Sequence, residues 1–300
     1  MSVTRVVAGG VALGAAGLAY AVWEARQYTL RYATVPVLAD GQSPMRILHL
    51  SDLHLVPGMS QRQGWIQSLR ALQPDAVVVT GDFMSHPDAV PHVLDTLDPF
   101  FDLPGLFTLG SNDYFAPRPI NPAKYLAGPS QLEPKRAMLP WPDLIDGLVD
   151  NGWVHLGNAR AVLDIGGRVV DARGVDDPHI SRDRYSAVAG PFREDVALRL
   201  GVTHAPYLRT LDAMTADGAD LVLAGHTHGG QLCVPGYGAL VTNCDLDTKR
   251  ASGLSSHRAH GQTAALHVSA GLGTSPYAPI RFACRPEASL LTLVPRAQVA

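Results

Sequence analysis

Short apolar runs alternate with amphipathic segments along most of this 300-residue chain. Apolar runs without polar alternation are typical of strands that are buried on both faces. The predicted strands of this kind are Met45–Leu50, Ala76–Thr80, Gly105–Leu109, Leu198–Val202 and Leu221–Ala224. Helical spacing and helix-ending prolines predict helices at Gln61–Leu72, Pro87–Leu97, Pro142–Asn151, Phe192–Leu200 and Pro206–Ala216. Because strands and helices alternate, a parallel sheet is expected.

A second group of strands predicts a second sheet. Its members are Trp153–His155, Ala159–Ile165, Arg168–Ala172, Ala264–Ser269 and Ser289–Val294. The pair Gly166-Gly167 fits a hairpin turn between two of them. Near Tyr28–Val37 the chain is expected to form an edge strand. Together these elements predict an α/β fold: a four-layer αββα sandwich of two mixed β-sheets flanked by helices.

An Asp, His or Asn side chain follows each of the five buried strands at once. The segments are Ser51-Asp52-Leu53-His54, Thr80-Gly81-Asp82, Gly110-Ser111-Asn112-Asp113, Thr203-His204 and Gly225-His226-Thr227-His228-Gly229. Ligands gather at the carboxyl ends of strands in open α/β sheets. Neutral imidazole is the commonest metal ligand in proteins, and glycines let the backbone approach an ion closely. The pattern therefore predicts a metal site at one edge of the sheets.

The donor types narrow the choice of metal. Mixed imidazole and carboxylate ligands suit Zn, Mn, Fe or Co, whereas Ca prefers oxygen alone. There are too many candidate ligands for one tetrahedral ion, but two ions that share a bridging carboxylate would use them all. Such a pair can activate a water and clamp the attacking and leaving oxygens of a displacement.

The order Asp-x-His, Gly-Asp, Gly-[Asn]-x-Asp, a single His and Gly-His-x-His resembles that of the calcineurin-like metallophosphoesterase family. The resemblance extends over about residues 45–295. Three downstream segments are similar to the bacterial membrane-associated branch of the family: Gly271–Ser275, Pro279–Phe282 and Arg285–Glu287. The resemblance to the family implies a binuclear enzyme that hydrolyses a phosphate mono- or diester by attack of a metal-bridging hydroxide. The implied cofactors are two divalent ions of Mn, Zn or Fe.

The family's ligand roles can be carried over by position. The resemblance implies that Asp52, His54, Asp82 and His228 bind one ion. The other ion would be bound by Asp82, His204, His226 and an amide from the Gly110–Asp113 loop. Asp82 would then be the bridging ligand, and His204 would also belong to the catalytic set.

The third motif departs from the family pattern Gly-Asn-His-Asp. A strict match places Ser111 at the metal-ligand Asn and Asn112 at the catalytic His. Alternatively the loop shifts and Asn112 supplies an amide oxygen, which suits a hard divalent ion better than a hydroxyl does. Asn cannot transfer a proton, so either alignment leaves the usual general acid missing. Tyr114, His179 or the substrate would have to replace it, and Asp113 is expected to orient a ligand.

Two other functions use the same residues. The missing loop His is compatible with a non-catalytic, metal-supported protein that binds a phosphorylated ligand. Paired metal ions also serve hydrolases that act on amides or acyl groups. The resemblance favours the phosphoesterase over both.

The segment Val6–Trp23 contains no charged residue and just reaches the length that crosses a bilayer core. It predicts a membrane anchor within residues 1–27, followed by a linker and edge strand at 28–44 and the metallophosphoesterase domain at 45–295. A cleaved signal peptide ending near Ala19-Tyr20-Ala21 is the alternative. The flanking charges favour a domain outside the cytoplasm. This predicted location suggests a lipid-linked or cell-envelope phosphate as substrate.

Composition adds three limits. A hydrophobic fraction of 46% supports a large core, and a net charge of −3 gives no indication of a nucleic-acid-binding surface. The three cysteines, Cys233, Cys244 and Cys284, have no metal-site or redox-motif spacing. One disulfide among them would leave one thiol unpaired. The cysteines are expected to be small residues of the core.

Two loops are predicted to edge the site. Phe115–Pro142 contains seven prolines and follows the third motif, so it is expected to be a substrate lid. Its cationic residues would meet phosphate or lipid head groups; they are Arg118, Lys124, Lys135 and Arg136. The other loop, Gly174–His179, offers Asp176 or His179 to the substrate.

Overall fold

The computed structural model describes residues 3–119 and 136–296, with side chains from residue 13 onward. Its helices are α1 (Val3–Glu24), α2 (Ser60–Ser68), α3 (Val90–Leu97), α4 (Ser111–Tyr114), α5 (Trp141–Asp150) and α6 (Leu208–Ala216). The first seven strands are β1 (Thr29–Leu38), β2 (Met45–Leu50), β3 (Ala76–Thr80), β4 (Gly105–Thr108), β5 (Val154–His155), β6 (Ala159–Ile165) and β7 (Arg168–Gly174). The others are β8 (Leu198–Val202), β9 (Leu221–Ala224), β10 (Cys233–Val234), β11 (Gly238–Ala239), β12 (Gly253–Ala259), β13 (Gln262–Val268) and β14 (Glu287–Pro295).

Two six-stranded mixed sheets form the centre of the molecule. The first has the order β1-β14-β2-β3-β4-β5, and its β14–β2 pair is antiparallel. The second has the order β12-β13-β9-β8-β7-β6, with antiparallel pairs at both edges. A separate two-stranded hairpin joins β10 to β11. The parallel strands β2, β3 and β4 of one sheet and β8 and β9 of the other end at the predicted ligands.

Three apolar clusters separate four layers. Ile47, Val78 and Leu200 belong to the cluster between the two sheets. Val77 and Val79 belong instead to the cluster under α2, α3 and α5. The third cluster packs α6 on the second sheet. Since successive side chains of β3 enter different apolar layers, the strand has no polar alternation. The predicted four-layer sandwich is confirmed.

Two strands belong to a different sheet from the one predicted. β5 pairs with β4 and therefore extends the first sheet, and β14 lies between β1 and β2 in that same sheet. Both segments are apolar and extended in either case. Their sheet membership depends on partners far away in the sequence, and local pattern carries no information about those partners.

The predicted helix Phe192–Leu200 is wrong. Residues 192–197 form an irregular segment, and β8 begins at Leu198. The side chains of Leu198, Leu200 and Val202 point into the cluster between the sheets, and β8 pairs with both β7 and β9. The strand period therefore prevails over helical spacing here. The predicted helix Pro87–Leu97 also begins later, at Val90.

The last turn of α1 packs against the body of the protein. The buried Glu24 carboxylate accepts hydrogen bonds from the backbone N–H groups of Ala283 and Cys284, at 3.0 and 2.9 Å. The Tyr20 ring packs edge-on against Phe282, with ring centroids 5.4 Å apart. No helix within the described ranges is both long and apolar enough to cross a bilayer.

Candidate metal centre

The predicted ligands leave their strands through an unusual backbone conformation. Asp52, His54, Asp82, His226 and His228 all have positive φ, between 43° and 69°. For residues other than glycine this left-handed region costs about 1 kcal/mol or more, and such strain concentrates at functional sites. Hydrogen bonds between the loops stabilise the conformation, among them His54 N–H to Asp82 O at 2.9 Å. The strained backbone turns all five side chains toward one centre.

The first half of this centre contains four of the predicted ligands. Donor atoms of Asp52, His54, Asp82 and His228 all lie within 4.8 Å of one another. The Nε2 atoms of His54 and His228 are 3.3 Å apart, and Asp82 Oδ2 is 3.5 Å from His54 Nε2. Asp52 Oδ1 is buried without a hydrogen-bond partner in the described part of the chain, 3.6 Å from His228 Nε2. A buried carboxylate oxygen and two facing imidazole nitrogens fit a divalent cation.

His204 and His226 form the second half in the same way. His204 Nε2 lies 3.3 Å from His226 Nδ1 and 3.6 Å from Asp82 Oδ2. The other ring nitrogens meet backbone carbonyls, with His204 Nδ1 2.6 Å from Thr80 O and His226 Nε2 3.2 Å from Asn243 O. Because carbonyls only accept, those nitrogens carry the hydrogens, and the inward nitrogens are left for a metal.

The charges of the centre couple His204 to Asp82. Burial by itself lowers the pKa of His204, but the carboxylates of Asp82, Asp177 and Asp52 outweigh it and raise this pKa to about 9. Burial likewise opposes ionisation of Asp82, yet His204 and His54 bring its pKa below the usual value. Burial lowers the pKa of His226 and of His228 well below the usual value. Without metal, a protonated His204 therefore compensates Asp82.

The third motif forms the short helix α4 beside Asp82. The backbone N–H and side-chain amide of Asn112 donate to the two oxygens of Asp82, each at 2.8 Å. Ser111 is buried at the start of α4. Thus Asn112 contacts the carboxylate that lies between the two halves through its N–H donors.

Asp113 acts through backbone groups. Its buried carboxylate accepts from the N–H groups of Asp82, Phe83, Met84 and Gly110, at 2.7 to 3.2 Å. Burial and the charge of Asp82 raise the pKa of Asp113 to about 8. The carboxyl therefore joins the second motif loop to the third and orients Asp82 from behind.

The Gly174–His179 loop brings a further carboxyl and imidazole to the centre. The His179 ring lies 4.4 Å from the His226 ring, between centroids, and its Nδ1 is 3.1 Å from the Tyr207 hydroxyl. Asp177, which sequence reasoning missed, is fully buried, and its Oδ2 has no hydrogen-bond partner among residues 3–119 and 136–296. Burial raises the pKa of Asp177 to about 7. It lies in the loop that follows β7, between Asp176 and His179, the two residues that the sequence singled out.

Asp176 and Tyr114 are engaged with each other. The Tyr114 hydroxyl donates to Asp176 at 2.7 Å, and Arg182 pairs with the other carboxylate oxygen at 3.0 Å. Burial and Asp176 raise the pKa of Tyr114. Its proton is thus held by a carboxylate, so Tyr114 is a poor replacement for the missing acid.

Sequence reasoning also missed the role of Arg281, a buried cation behind His228. The Arg281 guanidinium donates to the carbonyls of Ala270, Gly271 and Gly273 at 2.7 to 3.1 Å. A side chain at Gly271 would meet Asp52 within 2.6 Å, so this loop lies directly on a ligand. His228 Nδ1 is 3.2 Å from Gly273 O, and the Arg281-bound loop therefore also orients His228.

The predicted lid can be followed only at its ends. Arg136 donates to the carbonyls of Phe115 and Ala116, and Phe115 forms an isolated bridge with Met138. These contacts bring the two ends of the loop together. The predicted contacts of Lys124 and Lys135 lie outside the described residues.

A buried chain of hydrogen bonds leads from the second sheet to Asp52. Ser51 Oγ donates to Asp52 Oδ2 at 2.5 Å, and Thr80 Oγ1 donates to Ser51 Oγ at 2.7 Å. Because the Thr80 hydrogen is used, His49 Nε2 must donate to Thr80, at 3.0 Å. His49 Nδ1 lies 2.9 Å from His267 Nδ1, and burial lowers the pKa of both rings. Neutral His49 then accepts from His267, and every donor points toward Asp52.

This chain predicts opposite tautomers for two neighbouring histidines. In long-range proton–nitrogen spectra at neutral pH, His49 should be protonated on Nε2 and His267 on Nδ1. Thr80→Val removes the acceptor of His49 and should change the His49 signals, while the partly exposed His86 keeps its own. The reverse tautomers in the unmodified chain would exclude the inferred direction.

Comparison with known proteins supports the assignment of these residues to a metal centre. The family model described as calcineurin-like phosphoesterase matches residues 45–230, more than half of the chain. YpbG of Bacillus subtilis (strain 168) is 24% identical and covers 98% of both chains. Phosphodiesterase YaeI of Escherichia coli (strain K12) is 27% identical, over 85% of this chain and 84% of the relative.

Solved structures give a weaker likeness. Phosphopantetheinyl hydrolase of Mycobacterium tuberculosis is 15% identical, with a TM-score of 0.42, over 85% of this chain and 98% of that one. The family match covers the motifs from Asp52 to His228, and the structure gathers those motifs around buried, inward-facing ligand atoms. The chain therefore belongs to the calcineurin-like phosphoesterase family and is a metal-dependent phosphohydrolase.

Proposed function

We propose that this phosphohydrolase binds two divalent ions, of Mn, Zn or Fe. Asp52, His54, Asp82 and His228 would hold one ion, and Asp82, Asn112, His204 and His226 the other. The observation that carries the proposal is the position of Asp82 Oδ2, which lies within 3.6 Å of one nitrogen in each of the two histidine pairs. A carboxylate in this position can bridge two ions. For the amide ligand the proposal favours Asn112 over Ser111, because its side-chain amide already lies 2.8 Å from Asp82 Oδ2 and, rotated about its terminal bond, would turn its oxygen toward the ion.

Bound divalent ions would lower the pKa of a water and polarise a phosphoryl oxygen. The protein groups around them would position the substrate. His179 packs on His226, and we place it against the phosphoryl group. Asp113 and the Arg281-bound loop would keep Asp82 and His228 in place during turnover. The name of the Escherichia coli relative, a phosphodiesterase, supports a diester as substrate.

We further propose that the protein works at a membrane, in the bacterial membrane-associated branch of the family, with its catalytic domain outside the cytoplasm. The uncharged run Val6–Trp23 supports an anchor. On α1, the apolar side chains of Leu13, Leu18 and Trp23 are exposed and could contact lipid. A lipid-linked or cell-envelope phosphodiester would be the substrate within reach. Residues 1–27 would anchor the domain formed by residues 45–295.

A calorimetric titration of the metal-free chain with Mn²⁺ tests the two-ion proposal. We expect two ions per chain and proton release at neutral pH, because His204, with its pKa of about 9, must lose a proton to bind metal. Affinity should therefore weaken as the pH falls. Turnover of bis(para-nitrophenyl) phosphate should rise with metal occupancy. His86→Gln, at a partly exposed histidine, serves as control. A single ion per chain would contradict the proposal.

A further inference from the structure

We propose that Cys233 and Cys284 form a modification site, a dithiol that closes to an intramolecular disulfide when it meets a disulfide-bearing oxidant. The two residues lie on neighbouring segments behind the His228 loop. Cys233 N–H donates to Phe282 O at 2.8 Å, and Leu232 forms an isolated bridge with Phe282. A backbone contact thus brings together two cysteines that are far apart in the sequence.

The two thiol groups also lie close together. Both point to one carbonyl, since Gly229 O lies 3.1 Å from Cys233 Sγ and 3.5 Å from Cys284 Sγ. A disulfide requires neighbouring sulfurs on neighbouring backbone segments. The shared carbonyl and the hydrogen bond from Cys233 N–H to Phe282 O favour this arrangement. Cys244 is the remaining thiol, and it lies outside this small cluster.

Small residues leave room for the pair. A side chain at Gly229 would come within 2.8 Å of Cys284 Sγ, and one at Gly230 within 3.4 Å of Cys233 Sγ. Ala239 and Ala251 pack around Cys233. The burial of Cys233 in this cluster agrees with the expected role of a small core residue, and the proposal adds a redox role for Cys233 and Cys284.

A cavity gives an oxidant access to the pair. It has a volume of about 530 Å³, and both cysteines line it. Lys249 and Arg285 also line it. Arg31, a third cation in its wall, pairs with Glu287 at 3.2 Å, and the Glu24 carboxylate accepts from backbone N–H groups. Oxidised glutathione is an anionic disulfide, so its charge suits these cationic side chains.

The reaction is thiol–disulfide exchange in two steps. One cysteine thiolate attacks a sulfur of oxidised glutathione, which forms a mixed disulfide and releases one glutathione thiolate. The second cysteine thiolate then attacks the protein-side sulfur, forms the Cys233–Cys284 bond and releases the second glutathione. The cysteine pair loses two electrons to the glutathione disulfide, and the two thiol protons pass to the released thiolates.

The disulfide would act as a clasp behind the metal centre. Cys284 Sγ donates to His228 O at 3.2 Å, so both sulfurs contact the backbone of the residues that follow Thr227. A covalent bond would fasten the β10–β11 hairpin to the segment that precedes β14. Glu24 of α1 also binds that segment, and the clasp would therefore join three parts of the chain at one point.

The test uses the full chain with Cys244→Ser, in which only the pair remains, incubated with oxidised glutathione and then alkylated. We expect the intact mass to fall by two hydrogen atoms and a non-reduced peptide map to link Cys233 to Cys284. In matched variants with an added Cys233→Ser or Cys284→Ser, the remaining thiol should stop at a glutathione adduct.

The unmodified chain gives a second measurement that needs no variant. Its map should show the same link, with Cys244 alkylated. Separate glutathione adducts on Cys233 and Cys284, or two thiols that remain alkylated after prolonged incubation, would overturn the proposal.

Discussion

Replacing Asp82 by Asn should lower Mn²⁺-dependent turnover of bis(para-nitrophenyl) phosphate by about 10³-fold or more. Asp82 Oδ2 lies 3.5 Å from His54 Nε2 and 3.6 Å from His204 Nε2, so one atom serves both halves of the centre. The amide lacks the negative charge that holds two cations close together. The measurement is kcat at saturating metal, with metal content per chain determined on the same sample.

Asp88→Asn is the matched control. Its side chain is 82% exposed, and the same change of carboxylate to amide there should leave both turnover and metal content unchanged. Equal turnover of the Asp82 and Asp88 variants would refute the central role of Asp82. Loss of turnover with folding intact, shown by an unchanged circular dichroism spectrum, would support it.

Gly110→Ala should reduce kcat/KM by about 10²-fold or more and weaken Mn²⁺ binding, because the added methyl group occupies ligand space. Gly110 has an extended backbone, with φ −116° and ψ 174°, which alanine adopts readily. Its Cβ would lie against the Asp82 carboxylate and 2.6 Å from His204 Nε2. The hydrogen bond from His204 to Thr80 O keeps that ring from moving away. Overpacking should also lower the free energy of unfolding by about 1–3 kcal/mol.

Gly64→Ala provides the comparison for this steric effect. Gly64 lies within α2, and no atom lies within 4 Å of its would-be Cβ. Alanine is favoured over glycine in a helix by about 1 kcal/mol, so this variant should be slightly more stable and fully active. Denaturant unfolding and steady-state kinetics on both variants make the comparison. Similar activity of the two would show that the methyl group at residue 110 is accommodated and that the centre is less tightly packed.

More of the candidate site than of the surrounding strands and helices could be predicted from the sequence. The segments before Asp52, Asp82, His204 and His226 are mainly apolar, and each is a strand whose end delivers a ligand. Local residue type decides these positions, since a polar residue that interrupts an apolar run marks the end of a buried strand. The αββα layering follows from the same runs. Pattern misplaced the segment Phe192–Leu200, where strand pairing on both sides overrides helical spacing.

Contacts remote in sequence account for what the pattern could not predict. Asp177 and Arg281 are ordinary loop residues by pattern, and only packing places them beside His204 and behind His228. His49 and His267 are 218 positions apart, yet their rings meet under Asp52. Such encounters depend on sheet order and on loop paths, which single-chain periodicity does not encode.

The amino-acid sequence alone determined which side chains are available to bind metal and that they follow strands, because hydrophobic runs and polar residues act locally. The tertiary structure decided which sheet β5 and β14 join, which imidazole nitrogens face inward, and which two of three cysteines meet. These features depend on partners that the burial of apolar surface between two sheets brings together. The hydrophobic effect has no preferred direction, so it does not by itself select those partners. The selection comes from close packing of the complete core.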